Sequence, residues 1–159
     1  MIRIGQSTDI HRLVEGRDLI IGGVKIEHDK GLLGHSDADV LLHAVAEAII
    51  GALGLKDIGT HFSDKDPKYK GIDSMILLAK TYDMMAERGY RIGNLDCLVM
   101  IEKPKMAPHI DKMRENIARV LHTDLENVNV KATRGEGLGF IGEEKGAQAQ
   151  AVVLITDDK

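Results

Sequence analysis

One segment restricts the fold of this chain more than any other, a helix predicted from Asp37 to about Leu53. Ser36 or Asp37 is suited to cap its start, and glycines follow where the pattern ends. Its apolar residues recur at helical spacing and form a wide stripe. The stripe consists of Val40, Leu41, Ala44, Val45, Ala48 and Ile49. Such a helix needs a sheet or other helices against it, so the pattern predicts a layered domain.

Strands and helices alternate along the rest of the sequence. Strands are predicted at 1–9, 19–21, 24–26, 91–102, 128–133 and 147–156, and further helices at 73–88 and 107–121. The segments 28–34, 56–71 and 134–139 are expected to be loops. The expected fold is therefore a single α/β (α+β) domain spanning residues 1–159. It has a mixed four-stranded sheet with helices packed on one face, and a small β-hairpin that turns at Gly22-Gly23.

Composition argues against several classes of protein. The chain has 21 basic and 25 acidic residues, and its net charge of −4 gives no general attraction for nucleic acid. It contains no apolar run of the roughly 18 residues that a membrane span needs, and its first residues are too polar for a signal peptide. Cys97 is the single cysteine and is expected to be a buried, unreactive thiol. We therefore expect a cytoplasmic protein without nucleic-acid or membrane partners.

Two short motifs are candidates for a metal site. Asp9 and His11 are two apart near the end of a predicted strand, so their side chains point to the same face. His43 lies on the predicted helix, with Asp39 one turn before it as a candidate to orient the imidazole or neighbouring backbone. Two nitrogens and one oxygen suit zinc or a similar divalent ion and leave a fourth position open. The alternative is a chance Asp-x-His pair and a histidine packed in the core.

Other segments carry groups suited to bind an anion or a sugar. His35 and Ser36 precede the helix, where backbone N–H groups attract anions, and they are suited to hold a phosphate or to transfer a proton. Ser36 has the alternative role of a simple cap. The loop carboxylates Asp57, Asp64 and Asp66 are suited to bind hydroxyls or to transfer protons, unless they only form a solvated acidic loop. Residues 103–106 and 133–137 each follow a strand and are suited to hold a phosphate or nucleotide, or else only shape turns. Neither matches a P-loop or a dinucleotide-binding motif.

Taken in order, these motifs closely resemble the 2-C-methyl-D-erythritol 2,4-cyclodiphosphate synthase family of the non-mevalonate isoprenoid (terpenoid) pathway. The resemblance spans nearly the whole chain. The segments that carry it are Asp9-Ile10-His11, Gly31 to Val40 with His43, Asp57-Ile58-Gly59, Phe62 to Pro67, Pro104-Lys105-Met106 and Val128 to Thr133.

The resemblance implies a homotrimer with active sites between adjacent subunits. It implies a phosphorus–oxygen lyase that converts 4-diphosphocytidyl-2-C-methyl-D-erythritol 2-phosphate into the cyclic diphosphate and CMP. Zinc would be bound by Asp9, His11 and His43, and a second ion, Mg²⁺ or Mn²⁺, would lie near Glu136. Because the phosphoryl transfer is intramolecular, the protein needs to position and neutralise two anionic groups rather than supply a nucleophile.

The resemblance also implies roles for individual residues. His35, Thr133 and Arg134 would be catalytic. Substrate contacts would come from Asp9, His11, His35, Ser36, Asp57, Ile58, Gly59, Phe62, Ser63, Asp64, Lys65, Asp66, Ile101, Pro104, Lys105, Met106, Ala107, Ala132, Thr133, Arg134, Glu136 and Phe140.

The sequence departs from the family pattern at three places. Arg134 stands where the family often has a second threonine, and a guanidinium is suited to replace that phosphate contact. Gly137 occupies a position that is commonly lysine. Glu143 and Lys145 reverse a pair of charges near the expected trimer axis, which argues against an isoprenoid diphosphate site there. Two other functions stay open at the level of sequence: a zinc-dependent hydrolase of phosphate esters or nucleotides, and a trimeric metal-binding module without catalysis.

Overall fold

A five-stranded sheet forms the framework of the computed structural model, which describes residues 1–158. The strands are β1 (Ile2–Glu15), β2 (Leu19–Ile21), β3 (Val24–Ile26), β4 (Lys30–Leu32), β5 (Arg91–Met100), β6 (Val128–Thr133) and β7 (Gly146–Thr156). The helices are α1 (Val40–Ala52), α2 (Ile58–His61), α3 (Ser74–Glu87), α4 (Ile110–Val120) and α5 (Gly139–Gly142), with short 3-10 turns at Pro67–Tyr69, Ala107–His109 and Leu125–Asn127.

The main sheet has the strand order β4-β1-β7-β5-β6. The pair β5–β6 is parallel, whereas β1–β4, β1–β7 and β5–β7 are antiparallel. The prediction of a mixed sheet is therefore confirmed, but the sheet has five strands rather than four. The fifth strand, β4, lies in the segment 28–34 that was expected to be a loop, because three residues with a central glycine give no periodic signal.

The N-terminal strand extends further than the sequence indicated. It was expected to end at Asp9 but continues to Glu15, because β7 pairs with it as far as Arg12 and β4 pairs with it from Leu13 to Glu15. The predicted hairpin is confirmed as a separate two-stranded sheet of β2 and β3. Gly22 and Gly23 both have positive φ, +61° and +72°, which is the backbone that a two-residue hairpin turn requires.

Helix α1 lies directly on the inner face of the sheet. The inward positions of β7 are small, Ala147, Ala149 and Ala151, which allows the helix to approach closely. At Gly5 on β1 the approach is closest, since an added Cβ would lie 1.9 Å from the carbonyl oxygen of Ala48. The outer face of β1 and β7 instead exposes apolar side chains, so the helices cover one face only, as predicted.

Helix α1 begins three residues later than expected. Asp39 has extended backbone angles and its side chain accepts a hydrogen bond from the N–H of Leu42, so Asp39 is the N-cap. Ala38 has φ +60°, which interrupts any helix that would start at Asp37. The expected caps Ser36 and Asp37 are thus wrong, and both residues lie in the turn before the helix.

The other departures are small. The long loop 56–71 contains α2 and a 3-10 turn, and the loop 134–139 leads into the one-turn helix α5. Strand β5 ends at Met100 rather than Glu102, and α4 begins at Ile110 because a 3-10 turn occupies the first predicted residues. Cys97 is buried in β5, as expected. No helix within residues 1–158 is long and apolar enough to cross a membrane.

Candidate metal centre and pocket

Three side chains converge where β1 passes α1. Asp9 and His11 point from β1 to its inner face, and His43 faces them from the first turn of α1. Asp9 Oδ2 is 2.9 Å from His11 Nε2 and 3.2 Å from His43 Nδ1, and the two ring nitrogens are 3.3 Å apart. Two ligands about 2.1 Å from a tetrahedral ion are about 3.4 Å apart, so these spacings fit a divalent metal. The predicted triad is therefore a possible metal site in the structure.

Both histidines have outward contacts that orient their rings. His11 Nδ1 lies 2.9 Å from the Leu33 carbonyl oxygen, which only accepts, so Nδ1 carries the proton. His43 Nε2 lies 2.9 Å from Ser74 Oγ and 3.1 Å from Ser36 Oγ. The inward atoms are thus His11 Nε2 and His43 Nδ1. The two histidines would use different ring nitrogens toward a shared ion.

The electrostatics of the cluster also fit a cation. Burial would raise the pKa of Asp9, but hydrogen bonding and charge interaction with His11 and His43 outweigh burial and lower this pKa to about 2. Burial would likewise lower the pKa of His11, but Asp9 and the Leu33 carbonyl raise it overall. Asp9 Oδ2 is buried and faces these two ring nitrogens, and no other group within residues 1–158 is hydrogen-bonded to it. A carboxylate oxygen that faces two nitrogen lone pairs requires a proton or a metal ion between them.

A pocket of about 350 Å³ opens beside the cluster. Besides the three candidate ligands, it is lined by Gly34, His35, Ser36, Glu47, Ile58, Gly59, Phe62, Asp64, Tyr69 and Leu77. His35 Nε2 is hydrogen-bonded to the Asp66 carbonyl oxygen at 2.9 Å, which orients this imidazole at the pocket wall. The structure therefore brings together in one pocket most of the predicted site residues that lie between Asp9 and Asp66 in the sequence.

Of the two predicted tasks of Asp39, support of the His43 imidazole is wrong, and support of neighbouring backbone is confirmed. The Asp39 carboxylate is fully buried and accepts hydrogen bonds from the N–H groups of Gly22, Gly23 and Leu42. It therefore joins the hairpin turn to the start of α1. The spacing of four residues predicts that Asp39 and His43 share a face if both belong to the helix. Asp39 is instead the N-cap, and its side chain folds back over the first turn to accept from the Leu42 N–H.

The residues that do support the site were missed. Ser74 lies 31 residues from His43 in sequence, so no local spacing could reveal its contact. Glu47 accepts hydrogen bonds from Ser7 Oγ and from the N–H of Ile58, which joins β1, α1 and the start of α2 beside the pocket. Its position one turn after His43 is the one sequence signal that could have found it.

The remaining predicted site residues lie outside this pocket in the single chain. In the loop after α1, Asp57 caps α2 and accepts from Thr60, and the group Ser63, Lys65 and Asp66 forms the neighbouring turns. The others gather where β5 and β6 end: Ile101, Pro104, Lys105, Met106, Ala107, Ala132, Thr133, Arg134 and Glu136. The side chains of Ile101 and Met106 are buried in the core. Phe140, on α5, is partly exposed.

The two groups of residues lie at the same end of the sheet but on different strands. Asp9 on β1 pairs with Ala149 on β7, which pairs in turn with Val99 on β5. Val99 then pairs with Ala132 on β6. Three steps of about 4.8 Å place the end of β6 about 14 Å from the metal cluster along the sheet.

Fold and site together define a single-domain α/β protein with a candidate divalent-metal site beside a pocket. The family model described as the YgbB family matches residues 2–156. The 2-C-methyl-D-erythritol 2,4-cyclodiphosphate synthase of Geobacillus sp. (strain WCH70) is 60% identical over 155 residues, which is 98% of each chain. The chain belongs to the YgbB family of 2-C-methyl-D-erythritol 2,4-cyclodiphosphate synthases.

Solved structures agree with this assignment. A Plasmodium falciparum structure described as an IspF CDP complex superposes with a TM-score of 0.87 at 37% identity, covering 99% of this chain and 97% of the other. The bifunctional IspDF of Campylobacter jejuni matches with a TM-score of 0.93 at 42% identity, covering 98% of this chain but 42% of that longer one.

Proposed function

We propose that this chain converts 4-diphosphocytidyl-2-C-methyl-D-erythritol 2-phosphate into 2-C-methyl-D-erythritol 2,4-cyclodiphosphate and CMP. An oxygen of the 2-phosphate forms a bond to the β-phosphorus of the diphosphate. The bond from that phosphorus to the oxygen bridging toward cytidine breaks, and CMP leaves with the bridging oxygen. The observation that carries the proposal is the Asp9–His11–His43 cluster beside the His35 pocket, in a chain related over its full length to enzymes of this name.

We assign zinc to the Asp9–His11–His43 site because two imidazoles and one carboxylate are the ligands that zinc prefers in open, catalytic sites. When bound, the ion supplies charge neutralisation and Lewis-acid polarisation to phosphate oxygens. The chain's own contribution is geometric: Leu33 and Ser74 hold the two histidines in the ring orientations described above.

The pocket residues are proposed to hold the reacting end of the substrate. His35, fixed by the Asp66 carbonyl, presents its other ring edge to the phosphate, and Ser36 lies beside it. Asp57, Gly59 and the loop 62–66 bind the erythritol hydroxyls. Phe62 packs edge-to-face on Tyr69, with 5.6 Å between ring centroids, and thereby shields this part of the pocket from water.

The nucleotide end is proposed to bind the residues that follow β5 and β6. Residues 101–107 surround the cytosine, and Thr133 with Arg134 contacts the diphosphate, near a second divalent ion at Glu136. Because this group lies about 14 Å from the metal cluster within one chain, we propose that each site combines the two groups from adjacent subunits of a homotrimer. Exposed apolar side chains on the outer sheet face support this: Ile2, Ile4, Ile10 and Val152 are all more than half exposed. A cytoplasmic location stays a prediction.

The test is product analysis with purified protein, the substrate, zinc and magnesium. We expect phosphorus NMR to show the cyclic diphosphate and chromatography to show one CMP per product. Free phosphate or a nucleoside without a cyclic product would contradict the proposal and indicate a hydrolase. Metal binding without any turnover or binding of cytidine nucleotides would indicate a non-catalytic module.

A further inference from the structure

His43 has two hydroxyl groups near the ring nitrogen that points away from the metal cluster. Ser74 Oγ is 2.9 Å and Ser36 Oγ is 3.1 Å from Nε2. A hydroxyl can donate or accept, so a hydroxyl alone does not select which nitrogen of a neutral imidazole carries the proton. That selection matters because only a nitrogen without a proton can bind a metal ion.

The Asp37 carboxylate removes this ambiguity for Ser74. Asp37 Oδ1 lies 2.5 Å from Ser74 Oγ, and Asp37 Oδ2 accepts from the Ser74 backbone N–H at 3.0 Å. A carboxylate only accepts, so the Ser74 hydroxyl proton is directed to Asp37. The Ser74 oxygen is then left to accept from His43 Nε2–H. Ser74 is also 1% exposed, which keeps water from competing for these bonds.

Among residues 1–158, no carboxylate is hydrogen-bonded to the Ser36 hydroxyl. Its Oγ accepts a hydrogen bond from the Ala38 N–H at 3.1 Å, which leaves its own hydroxyl proton free to point at His43 Nε2. Alone, Ser36 would therefore allow a proton on Nδ1, the atom that faces Asp9 at 3.2 Å.

We propose that Asp37 and Ser74 are positioning residues that fix the Nε2–H tautomer of His43 and so keep Nδ1 available to the metal. The relay runs from the Asp37 carboxylate through the Ser74 hydroxyl to the imidazole. Because Ser74 begins α3, the relay also fixes that helix to the metal-binding helix α1. Removal of a residue that orients a metal ligand in this way typically weakens metal affinity about 10- to 100-fold. The proposal rests on the metal site of the proposed function, but not on its substrate.

The test compares zinc affinity among full-length variants by chelator competition. We expect Ser74→Ala to bind zinc about 10- to 100-fold more weakly and Ser74→Thr, which retains the hydroxyl, to bind within a few-fold of wild type. Ser36→Ala removes the other hydroxyl and should also stay within a few-fold. Thr123→Ala is the matched control, because the Thr123 hydroxyl accepts a hydrogen bond from the Asn127 side chain away from the site. Circular dichroism and unfolding curves show whether each variant is folded.

A second measurement does not depend on any variant. In ¹⁵N-labelled wild-type protein, long-range ¹H–¹⁵N spectra report which nitrogen of His43 bears the proton. We expect the Nε2–H form without metal and coordination through Nδ1 with zinc. A proton on Nδ1, coordination through Nε2, or unchanged zinc affinity in folded Ser74→Ala would overturn the proposal. Zinc binding with the expected spectra but no cyclic product would instead contradict only the proposed function.

Discussion

At the scale of single residues, three carboxylates at or next to the site have different tasks, although two of them, Asp37 and Asp39, are almost adjacent in sequence. Asp9 faces the metal cluster, Asp37 faces Ser74, and Asp39 caps α1 while holding the hairpin turn. Their environments, rather than their residue type, separate these tasks. Substitutions should therefore have different effects at each position.

Replacement of Asp39 by asparagine tests its structural task. The new amide NH₂ would face backbone N–H groups that now donate to the carboxylate, so at least one donor would lose its buried acceptor. We expect Asp39→Asn to lower the free energy of unfolding by about 2–3 kcal/mol in urea titrations. Asp29→Asn, on an exposed residue, should change it by less than about 0.5 kcal/mol. Equal stability of the two variants would contradict this assignment.

Metal affinity should depend on pH in a defined direction. Zinc binds only to unprotonated His11, and the metal-free protein holds the pKa of this imidazole above its ordinary 6.5. Protons therefore begin to compete at a higher pH than they would at a free imidazole, and zinc affinity should fall as pH decreases from 8 to 6. Chelator competition at several pH values measures this. An affinity that stays constant over that range would be inconsistent with the proposed ligand set.

At the scale of elements, the site is built where α1 presses on β1. The partly buried residues His43 and Glu47 lie one turn apart on the side of α1 that faces the pocket, and every other residue of the helix except Gly51 is buried. The close contact of Gly5 with the backbone of α1 sets how near this helix lies to the sheet. It thereby sets the distance between His43 and the ligands on β1.

Two glycine substitutions test this packing. A Cβ at Gly5 would meet the Ala48 carbonyl oxygen and the Ala52 nitrogen, both backbone atoms that cannot move aside alone. We expect Gly5→Ala to lower the free energy of unfolding by about 3 kcal/mol or more and to weaken zinc binding. Gly51 lies on the exposed side of α1, and a Cβ added there would meet no atom of residues 1–158 within 4 Å outside its own stretch of helix. Gly51→Ala should therefore be neutral or stabilise by up to about 1 kcal/mol. A tolerated Gly5→Ala with unchanged zinc affinity would refute this account of the packing.

Sequence reasoning succeeded where information is local. The two-residue spacing of Asp9 and His11, the apolar stripe of α1 and the Gly22-Gly23 turn each follow from neighbouring residues, and each is confirmed. The short strand β4 was missed because it exists only through pairing with β1. Ser74 was missed for the same reason, since its contact with His43 depends on how α3 packs against α1. The helix start was misplaced because the positive φ of Ala38 has no signal in the sequence.

At the scale of the whole molecule, one chain presents half of the proposed site at β1 and the other half at the end of β6. The outer face of the sheet exposes Ile2 and Ile4 on β1 and Val152 on β7. Apolar side chains in adjacent strand positions are the kind of surface that a second subunit covers. A substitution that breaks the trimer is therefore expected to abolish turnover as well.

An exposed isoleucine on that face tests the assembly. Ile4 is 74% exposed in the single chain, so Ile4→Glu should leave the fold intact while it places charge in the proposed interface. We expect light scattering to show a trimer for wild type and smaller species for Ile4→Glu, with loss of turnover. Ile76→Glu, on α3 and 49% exposed, is the matched control and should remain trimeric. A monomeric wild type with full activity would contradict the shared site.

Metal-dependent turnover in the reconstituted enzyme tests whether cyclisation requires an ion held by Asp9, His11 and His43. Wild-type protein stripped by a chelator should form no cyclic diphosphate, and activity should return in proportion to added zinc up to one ion per chain. His43→Ala should neither retain zinc nor recover, while His28→Ala, which lies outside the pocket, should behave as wild type. Full conversion of the substrate by metal-free protein, or by His43→Ala, would contradict the account.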